Sequence, residues 1–464
     1  MNAGAGSVRF FGGPLGALQA WSSAGSDFVF TQGMTGHDAH TGKLVRDMSE
    51  VPAELRACLA SDMVISDVPD SRIRAQTLIA LDHARRALEE AGSSLERLIT
   101  LRLFLRDMRD SGAAAQVVKA VLGANAPATT IVVATGPGID DAIDVVLDAV
   151  AAPRNARFEL QYLHVPGFDR LTGGFPAATV YGPYVFTTPV SGADPQTGRI
   201  AATRDALTVD EMKLLDAEYF NPRDEALAVE HVLMWRNIRR ILAATNVSFD
   251  DILHQNNWLT VSMQHYVPVT RVRSRLFGRG DARTAATSLP ISEVRTPGAA
   301  LECSVTGVAS GPNKVRKQIK LGSHGVGPYY VGAVQAGSTV FAAGEVPVVA
   351  QLGQAPALIA EVAHLSDALK HLNAGRVHAE YPLMAQAHCV YTLIRDALAQ
   401  YGAGMHDVMH QTVYLVEPAH FPALERIATL HFGVRLPPTT LVPIRGASPF
   451  AGTLLEIEVT AEAH

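Results

Sequence analysis

Hydrophobic and polar positions alternate along this chain in an order that occurs three times. Apolar residues that recur at every second position predict strands, and those that recur at helical spacing predict amphipathic helices. In each third of the chain the predicted order is a hairpin, a long helix, a strand, a second helix and a closing strand. The predicted long helices and the strands that follow them span residues 75–91 and 99–105, 227–245 and 257–261, and 382–401 and 411–415.

The first strand of each third also has a similar sequence. The run Val-Phe-Thr at residues 29–31 returns at residues 185–187, 156 positions later, and Val-Phe-Ala at residues 340–342 is a weaker third copy. A period of that length is close to the size of a domain and far longer than a solenoid repeat. We therefore predict three tandem domains of one fold. The predicted domains are residues 1–154, 155–311 and 312–464.

Each predicted domain is α+β, with a mixed sheet backed by two helices. Because the helices cover only one face of such a sheet, the other face needs a partner. Three sheets packed around a pseudo-threefold axis would bury these faces, and a chain with three linked copies suits that arrangement. We expect a monomer whose three domains imitate a trimer, or a low-order homo-oligomer of it.

Composition and charge exclude several classes of protein. The chain has 464 residues, of which 48% are hydrophobic, and a formal net charge of −6. We expect no nucleic-acid partner, because such proteins carry a basic face. The sequence shows no leader-like segment and no apolar run as long as a membrane span, so we expect a cytoplasmic protein. Cys58, Cys303 and Cys389 are far apart, which favours buried free thiols in a reducing compartment.

The order of these blocks, with their residues, resembles the Rid (YjgF) family of enamine and imine deaminases. The resembling parts are an apolar strand followed by a Thr-Gly turn, a long helix, a Pro-Ala-Arg-Thr segment and a closing Glu-x-Glu strand. The resemblance covers nearly the whole chain, three times over. It implies three chorismate-mutase-like domains whose substrate sites lie in the clefts between them and require neither a metal nor an organic cofactor.

In this family, the arginine of the Pro-Ala-Arg-Thr segment binds a carboxylate of the substrate. Matching the letters places Arg283, followed by Thr284, at this point of the second copy, whereas the first and third copies have Thr129 and Thr439. A guanidinium can hold a carboxylate through two parallel hydrogen bonds. The resemblance therefore implies that Arg283 anchors the substrate, with Thr284 beside it.

The family's first glutamate of the closing strand positions the attacking water. It matches Glu302 and Glu456 in the second and third copies, whereas the first copy has Val146. A glutamate can take a proton from water as a general base. The family's tyrosine matches Tyr329 of the third copy. The resemblance thus implies a catalytic cleft in which Arg283 and Glu302 meet Tyr329.

Two further positions follow from the family's Ser-Gly-Gln turn. Its small hydroxyl matches Thr188 in the second copy, and Glu345 stands in place of the glutamine in the third. These residues and Glu456 are expected to bind substrate. A purely structural interpretation of Glu456 also exists, because Glu456 and Glu458 alternate with apolar residues, as in a strand with one face in solvent.

The function that the resemblance implies is hydrolysis of the C=N bond of a small imine or enamine that bears a carboxylate. Two alternatives stay open. Ring-opening amidases that resemble cyanuric acid hydrolase and barbiturase depend on a serine–lysine pair in each repeat, but Lys43, Lys119 and Lys213 fall at different points of the pattern here. The other alternative is a protein that binds a small molecule without turnover.

Long insertions separate the first hairpin from the long helix in each copy. They span residues 45–74, 201–226 and 347–381. Loops of that length in compact domains are often lids or carry short helices, and residues 210–215 predict such a helix. Insertions that cover the clefts would favour a substrate bulkier than the small imines typical of the family.

Overall fold

A computed structural model shows three mixed sheets, each formed mainly by one third of the chain. Each sheet contains one parallel pair of strands, and its other described neighbours are antiparallel. This is the α+β organisation that the sequence predicts. The described residues are 8–12, 19–59, 71–136, 140, 142–277, 283–309, 317–319, 331–348, 381–433, 435–447 and 450–464.

The strands are numbered along the chain. In the first third they are β1 (Arg9–Phe11), β2 (Ser22–Ala24), β3 (Val29–Thr31), β4 (Met34–Thr35), β5 (Leu98–Leu105), β6 (Ala128–Val133) and β7 (Val145–Ala151). In the second they are β8 (Leu160–Leu163), β9 (Ala178–Tyr181), β10 (Tyr184–Thr187), β11 (Ile252–Leu259), β12 (Ala285–Pro290), β13 (Glu293–Val294) and β14 (Leu301–Val308). In the third they are β15 (Lys317–Ile319), β16 (Ala333–Ala336), β17 (Thr339–Ala342), β18 (Val408–Leu415), β19 (Thr439–Pro443) and β20 (Leu455–Glu462).

The strand order is the same in the centre of each sheet. It is β1-β2-β3-β7-β5-β6-β13 in the first sheet, where β4 also pairs with β7. It is β12-β11-β14-β10-β9-β8 in the second and β15-β16-β17-β20-β18-β19 in the third. In all three sheets the closing strand therefore lies between the first hairpin and the strand that follows the long helix.

The long helices fall where the helical pattern predicts them. The helices are α1 (Ala53–Arg56), α2 (Ser71–Glu90), α3 (Ser111–Leu122), α4 (Asp169–Thr172), α5 (Val209–Met212), α6 (Pro222–Ala243), α7 (Tyr266–Phe277), α8 (Tyr381–Ala399) and α9 (Phe421–Phe432). The short helices α1 and α4 were not predicted. Short 3₁₀ turns precede many of the long strands and helices.

Local sequence explains the ends of the long helices. Gly92 and Gly402 lie just after α2 and α8 with φ of +81° and +77°, the left-handed conformation in which glycine ends a helix. Helix α6 begins after Asn221, whose side chain accepts a hydrogen bond from the backbone N–H of Arg223, with Pro222 in the first turn. Both features are typical of helix starts.

Helices cover one face of each sheet and enclose its apolar core. Helices α2 and α3 pack on the first sheet, α6 and α7 on the second, and α8 and α9 on the third. Burial of these aliphatic side chains supplies most of the stability of each domain, at about 1.5–3 kcal/mol for each fully buried large side chain.

The opposite faces of the three sheets meet one another. Phe104 of β5, Trp258 of β11 and Tyr414 of β18 are fully buried at equivalent places of their strands. The ring centroids of Phe104 and Trp258 are 5.9 Å apart, and those of Trp258 and Tyr414 are 6.4 Å apart. Equivalent residues of the three domains therefore pack in one common layer.

Two strands were not expected from the sequence. Strand β13 belongs to the second third of the chain but pairs with β6 of the first sheet, with Glu293 opposite Val133. Strand β15 follows the predicted boundary between the second and third domains, and it pairs with β16 at the edge of the third sheet. Neither strand is long enough to show a hydrophobic period.

The remaining sequence predictions have mixed outcomes. Helix α5 lies at the start of the segment 210–215 where a helix was predicted, whereas most of the third insertion lies outside the described residues. Cys303 and Cys389 are buried, but Cys58 is exposed. The prediction of a buried thiol is therefore wrong for Cys58, because it lies in a turn from which only Leu59 is buried.

Candidate functional site

The register of the closing strands shows which residues are equivalent in the three domains. Val146 of β7, Glu302 of β14 and Glu456 of β20 lie opposite the three central aromatic residues described above. The sequence alignment that matched these three positions therefore agrees with the strand pairing. Two of the three domains have a carboxyl group at this place, and the first has an aliphatic side chain.

The register of the parallel strand pairs shows which residues stand at the position of the family's arginine, and it corrects the sequence alignment. Thr129 of β6, Ala286 of β12 and Thr439 of β19 lie opposite equivalent residues of the neighbouring parallel strand. Arg283 lies before β12 and is not the counterpart of Thr129 and Thr439. The letters Ala-Arg-Thr misled the alignment, because the strand itself begins only at Ala285. At the equivalent position, none of the three domains has an arginine.

The cleft between the first and second domains contains Glu302 and is filled by the chain itself. Thr296 donates from its N and Oγ1 to Glu302 Oε1 at 2.8 and 2.6 Å. Arg295 donates to the carbonyl oxygens of three residues of the second domain. Burial raises the pKa of Glu302, and the Arg295 guanidinium opposes that rise. Arg295 thus attracts the Glu302 carboxyl group without outweighing the effect of burial.

Thr188 lies in the same cleft and joins the two domains. Its Oγ1 accepts a hydrogen bond from Thr129 N at 3.0 Å and donates one to Pro176 O at 2.7 Å. The hydroxyl that was expected to bind substrate therefore already has a donor and an acceptor within the protein.

The second domain contains a group of buried polar side chains on the helix-facing side of β11 and β12. Gln255, Asn257, Arg273 and Ser288, which we call the polar cluster, are at most 8% exposed. Arg273 Nη1 and Asn257 Nδ2 donate to Ser288 Oγ at 3.1 and 3.2 Å. Gln255 Nε2 donates to Thr284 Oγ1 at 2.6 Å. Thr284 therefore belongs to the edge of this cluster.

The other two domains have apolar residues at most of these positions. The counterparts of Asn257, Ser288 and Arg273 are Leu103, Ile131 and Val118 in the first domain and Val413, Leu441 and Ala428 in the third. Burying polar groups costs free energy that an apolar core avoids. Their presence in one domain of three points to a function for this part of the molecule.

Glu456 of the third domain reaches the polar cluster across the domain boundary. Gly344 N donates to Ala286 O at 3.2 Å and holds the two domains together there. A Cβ atom on Gly344 would clash with Glu456 Oε1, so only glycine lets this carboxyl group lie against the backbone. Glu456 accepts a hydrogen bond from Ser288 N and is attracted by Arg273.

The environment of Glu456 makes it a neutral acid. Burial raises its pKa well above the ordinary value, and the carboxyl groups of Glu458 and Glu345 raise that pKa further. Glu456 is 3% exposed, so the interpretation of its strand as facing solvent is wrong. The reason is that the other two domains cover the sheet face on which Glu456 and Glu458 lie.

The other predicted site residues lie at different places, and not all of them belong to the described part of the chain. Glu345 bridges to Ile457 of β20 and is buried near Cys389, at the position of an apolar core residue in the other domains. Arg283 Nε is buried and has no hydrogen-bond partner among the described residues. Tyr329 lies outside the described residues. The structure shows no contact between Arg283 and Glu302, which were expected to act together, among the described residues.

The third cleft, between the third and first domains, has no carboxyl group at the equivalent place. Gly33 N donates to Thr439 O at 3.1 Å, as Gly344 does in the cleft of the polar cluster. A Cβ atom on Gly33 would lie 2.9 Å from Val146 Cγ1. This cleft therefore repeats the backbone contact with an aliphatic side chain at the position of Glu456.

A cavity of about 100 Å³ lies where the three sheets meet. Arg102 forms an ion pair with Asp148, with Nε 2.8 Å from Oδ1, and a second with Glu458 at 3.2 Å. Thr287 and Asn256 also donate to Glu458, at 2.6 and 2.9 Å. These contacts connect all three domains. Burial lowers the pKa of Arg102, but the Asp148 carboxylate outweighs burial, so the guanidinium stays charged.

Sequence reasoning missed Arg273, Asn257 and Ser288. Arg273 occupies a position of α7 on the same helical stripe as the buried Val269 and Phe277, so an arginine on an apolar stripe was the available signal. Asn257 and Ser288 lie in strands whose polar residues interrupt the alternating pattern. That interruption is a weak signal without the structure.

The sequence matches a known protein family. The family described as Endoribonuclease L-PSP, which is the Rid (YjgF) family, matches residues 59–151 and 324–463, just over half of the chain. The chain therefore belongs to this family. Membership fits a role in binding or hydrolysing a small molecule. A search of curated proteins gives no match.

Several solved structures are similar to parts of the chain. A protein titled an endoribonuclease from Klebsiella pneumoniae is 27% identical and covers 29% of this chain and 100% of its own, with a TM-score of 0.27. A chorismatase is 12% identical and covers 79% of this chain and 93% of its own, with a TM-score of 0.44. E. coli TdcF with bound serine is 21% identical and covers 32% and 100%, with a TM-score of 0.25.

Within the part of the chain that the structure describes, no helix combines the length and apolar character needed to cross a bilayer. The same residues include no group of three or more histidine, cysteine, aspartate or glutamate side chains arranged to hold a metal ion.

Proposed function

We propose that this protein hydrolyses the C=N bond of a small, carboxylate-bearing imine or enamine in the cleft between the second and third domains. The observation that carries the proposal is the polar cluster of the second domain, which meets the buried Glu456 of the third. The equivalent positions of the other domains are mostly apolar. The exception is Glu302, whose carboxyl group already accepts hydrogen bonds from Thr296 of its own domain.

The proposed anchor for the substrate carboxylate is Arg283. Its Nε is buried with no hydrogen-bond partner among the described residues, and a buried donor of this kind gains when a ligand supplies an acceptor. Arg273 has a different role, because it contacts Ser288 and lies near Glu456. Its positive charge offsets the acidic groups of the cleft, and its hydrogen bond positions Ser288.

The raised pKa of Glu456 suits it to begin the reaction as a general acid,. Its proton moves to the imine nitrogen, which makes the carbon more electrophilic. Water then attacks that carbon while the Glu456 carboxylate accepts a proton from the water. The carbinolamine that results has one new C–O bond, and Glu456 is neutral again. Loss of ammonia breaks the C–N bond and leaves a carbonyl product.

The test is turnover of 2-imino acids, generated in solution from amino acids by an amino-acid oxidase, followed by imine trapping and ammonia release. Glu456→Gln should lower kcat by about a hundredfold or more, since it cannot exchange a proton. Arg283→Gln should mainly raise KM, by about tenfold, because it removes a charged hydrogen bond to the substrate. Circular dichroism would show that both variants fold.

Glu302→Gln is the matched control, since it neutralises the equivalent carboxyl group in another cleft. Activity that survives in Glu302→Gln and disappears in Glu456→Gln supports the proposal. The reverse result would place the reaction in the cleft between the first and second domains.

A second candidate function is binding without turnover. It is favoured by the absence of an arginine at the family's position in all three domains, where Thr129, Ala286 and Thr439 stand. Saturable binding of 2-oxo acids by the wild-type protein, with no release of ammonia from any imino acid tested, would favour this function over hydrolysis.

A further inference from the structure

A second cavity lies inside the second domain, away from the interdomain clefts. It has a volume of about 640 Å³, within the range of about 300–1,000 Å³ that small-molecule sites occupy. Its walls include the apolar residues Leu227 of α6 and Val261 after β11. Arg223, Glu230 and His265 supply polar groups.

The other two domains hold the corresponding loop differently. In the first domain, Gln76 Nε2 donates to Ala142 O at 3.1 Å while its Oε1 accepts from Asp144 N at 2.8 Å. In the third, Gln386 Nε2 donates to Gly452 O at 2.7 Å and its Oε1 accepts from Leu454 N at 2.8 Å. Each glutamine thus ties the long helix to the loop before the closing strand.

The second domain has Glu230 at this position. Glu230 Oε1 accepts from Ala300 N at 2.9 Å, which reproduces one half of the glutamine's contacts. The other half would be a donation to Gly298 O, but Glu230 Oε2 instead also accepts from Ala300 N, at 3.2 Å. Gly298 lines the cavity. With glutamate in place of glutamine, the second domain therefore lacks the contact that ties the long helix to this loop in the other domains.

The polar groups of the cavity differ in how deeply they are buried and in whether they already have a charged partner. Glu230 is 5% exposed and lies at the inner end, whereas Arg223 is exposed. His265 Nδ1 lies 3.0 Å from Asp224 Oδ1, so this imidazole is already oriented by a carboxylate. Of the basic side chains of the cavity, Arg223 has no ion pair among the described residues.

We propose that this cavity binds a small carboxylic acid with an apolar body. The carboxylate of the ligand contacts Arg223 at the mouth, and its apolar part packs against Leu227 and Val261. This site is independent of the cleft that contains Glu456, and it requires neither that cleft nor its reaction.

The test is calorimetric titration of the full-length protein with benzoate, and with benzamide as the uncharged molecule of the same shape. Benzoate should bind at one saturable site in the millimolar range or below. Benzamide should bind about tenfold or more weakly, since it lacks the charge that Arg223 recognises. Arg223→Gln should weaken benzoate binding by a similar factor.

Two further variants make the test specific. Glu230→Gln restores the residue of the other two domains and should abolish binding by closing the cavity. Arg239→Gln removes another exposed arginine of α6 and should leave binding unchanged. Glu456→Gln should also leave it unchanged, which separates this site from the proposed reaction.

Three results would overturn the proposal. They are the absence of saturable benzoate binding, equal binding by wild type, Arg223→Gln and Glu230→Gln, and an equal loss in Arg223→Gln and Arg239→Gln. The last result would mean that only the general charge of the surface attracts the anion.

Discussion

Glu230 shows how one residue can differ between otherwise equivalent domains. Burial, and to a smaller extent the nearby Glu302, raise its pKa to about 7. A protonated Glu230 has the same shape and the same donor as the glutamine that the other domains use. The ionised form lacks that donor.

Glu230→Gln should change the pH dependence of stability. A folded pKa of about 7, against an ordinary value of 4.5, means that the folded state binds this proton more tightly than the unfolded state. The stabilisation is fully present below pH 4.5 and is lost as the pH rises to about 7. The variant should remove that loss, which reaches up to about 3 kcal/mol at pH 8. Chemical denaturation at pH 5 and pH 8 measures it.

The reverse substitution in the first domain is the control. Gln76→Glu should be destabilised more at pH 8 than at pH 5, because Gln76 Nε2 makes two contacts to carbonyl oxygens that an ionised carboxylate cannot make. An unchanged pH profile in both variants would show that Glu230 is ionised in the folded protein.

The residue scale also sets the limit of what the sequence could predict about the site. Glu302, Glu456 and Val146 were aligned correctly because the closing strands are long and regular. Arg283 was misplaced because three matching letters outweighed a strand that begins two residues later. Arg273 acts through a contact with Ser288, and no spacing rule connects a helix residue to a strand residue of the same domain.

At the scale of elements, long periodic segments were predicted well. Helix α2 and strand β5 begin within a few residues of their predicted starts. Strand β11 begins at Ile252, five residues before the predicted start, because residues 254–257 are polar and yet mostly buried. Polar residues in a strand normally indicate exposure, and here they lie in a domain boundary and in the polar cluster.

Strand β13 is held in the first sheet by its backbone pairing with β6. Arg295, which follows it, donates to three carbonyl oxygens of the second domain. Arg295→Gln should destabilise the protein by about 1–3 kcal/mol, because buried carbonyl groups lose their donor. Hydrogen exchange of the β13 amides should become faster in the same variant. Stability equal to that of wild type would contradict this role of Arg295.

At the scale of the whole molecule, the sequence of one domain could not show which face of its closing strand is buried. Glu456 and Glu458 follow a pattern that in an isolated sheet means exposure to water. The covering surface comes from two other domains, and the sequence of β20 contains no sign of it. The repeat and the family resemblance gave the only indication that such a surface exists.

Arg102 tests whether the central polar layer holds the domains together. It is paired with Asp148 of its own domain and Glu458 of the third. Arg102→Gln should lower the free energy of unfolding by about 3–5 kcal/mol, because two buried carboxylates lose their countercharge. The triple variant Arg102→Gln/Asp148→Asn/Glu458→Gln should be less affected than the single one. A loss below about 1 kcal/mol in urea unfolding, the size typical of a surface ion pair, would contradict a central role.

The central claim is that the three clefts are not equivalent and that the one between the second and third domains is the working site. A crystal structure of the protein soaked with 2-oxobutanoate, a stable relative of the proposed product, tests it most directly. The account predicts density in the cleft of the polar cluster, with the carboxylate on Arg283 and the 2-oxo group beside Glu456. Density beside Glu302 and Arg295, with none near Arg283, would contradict it.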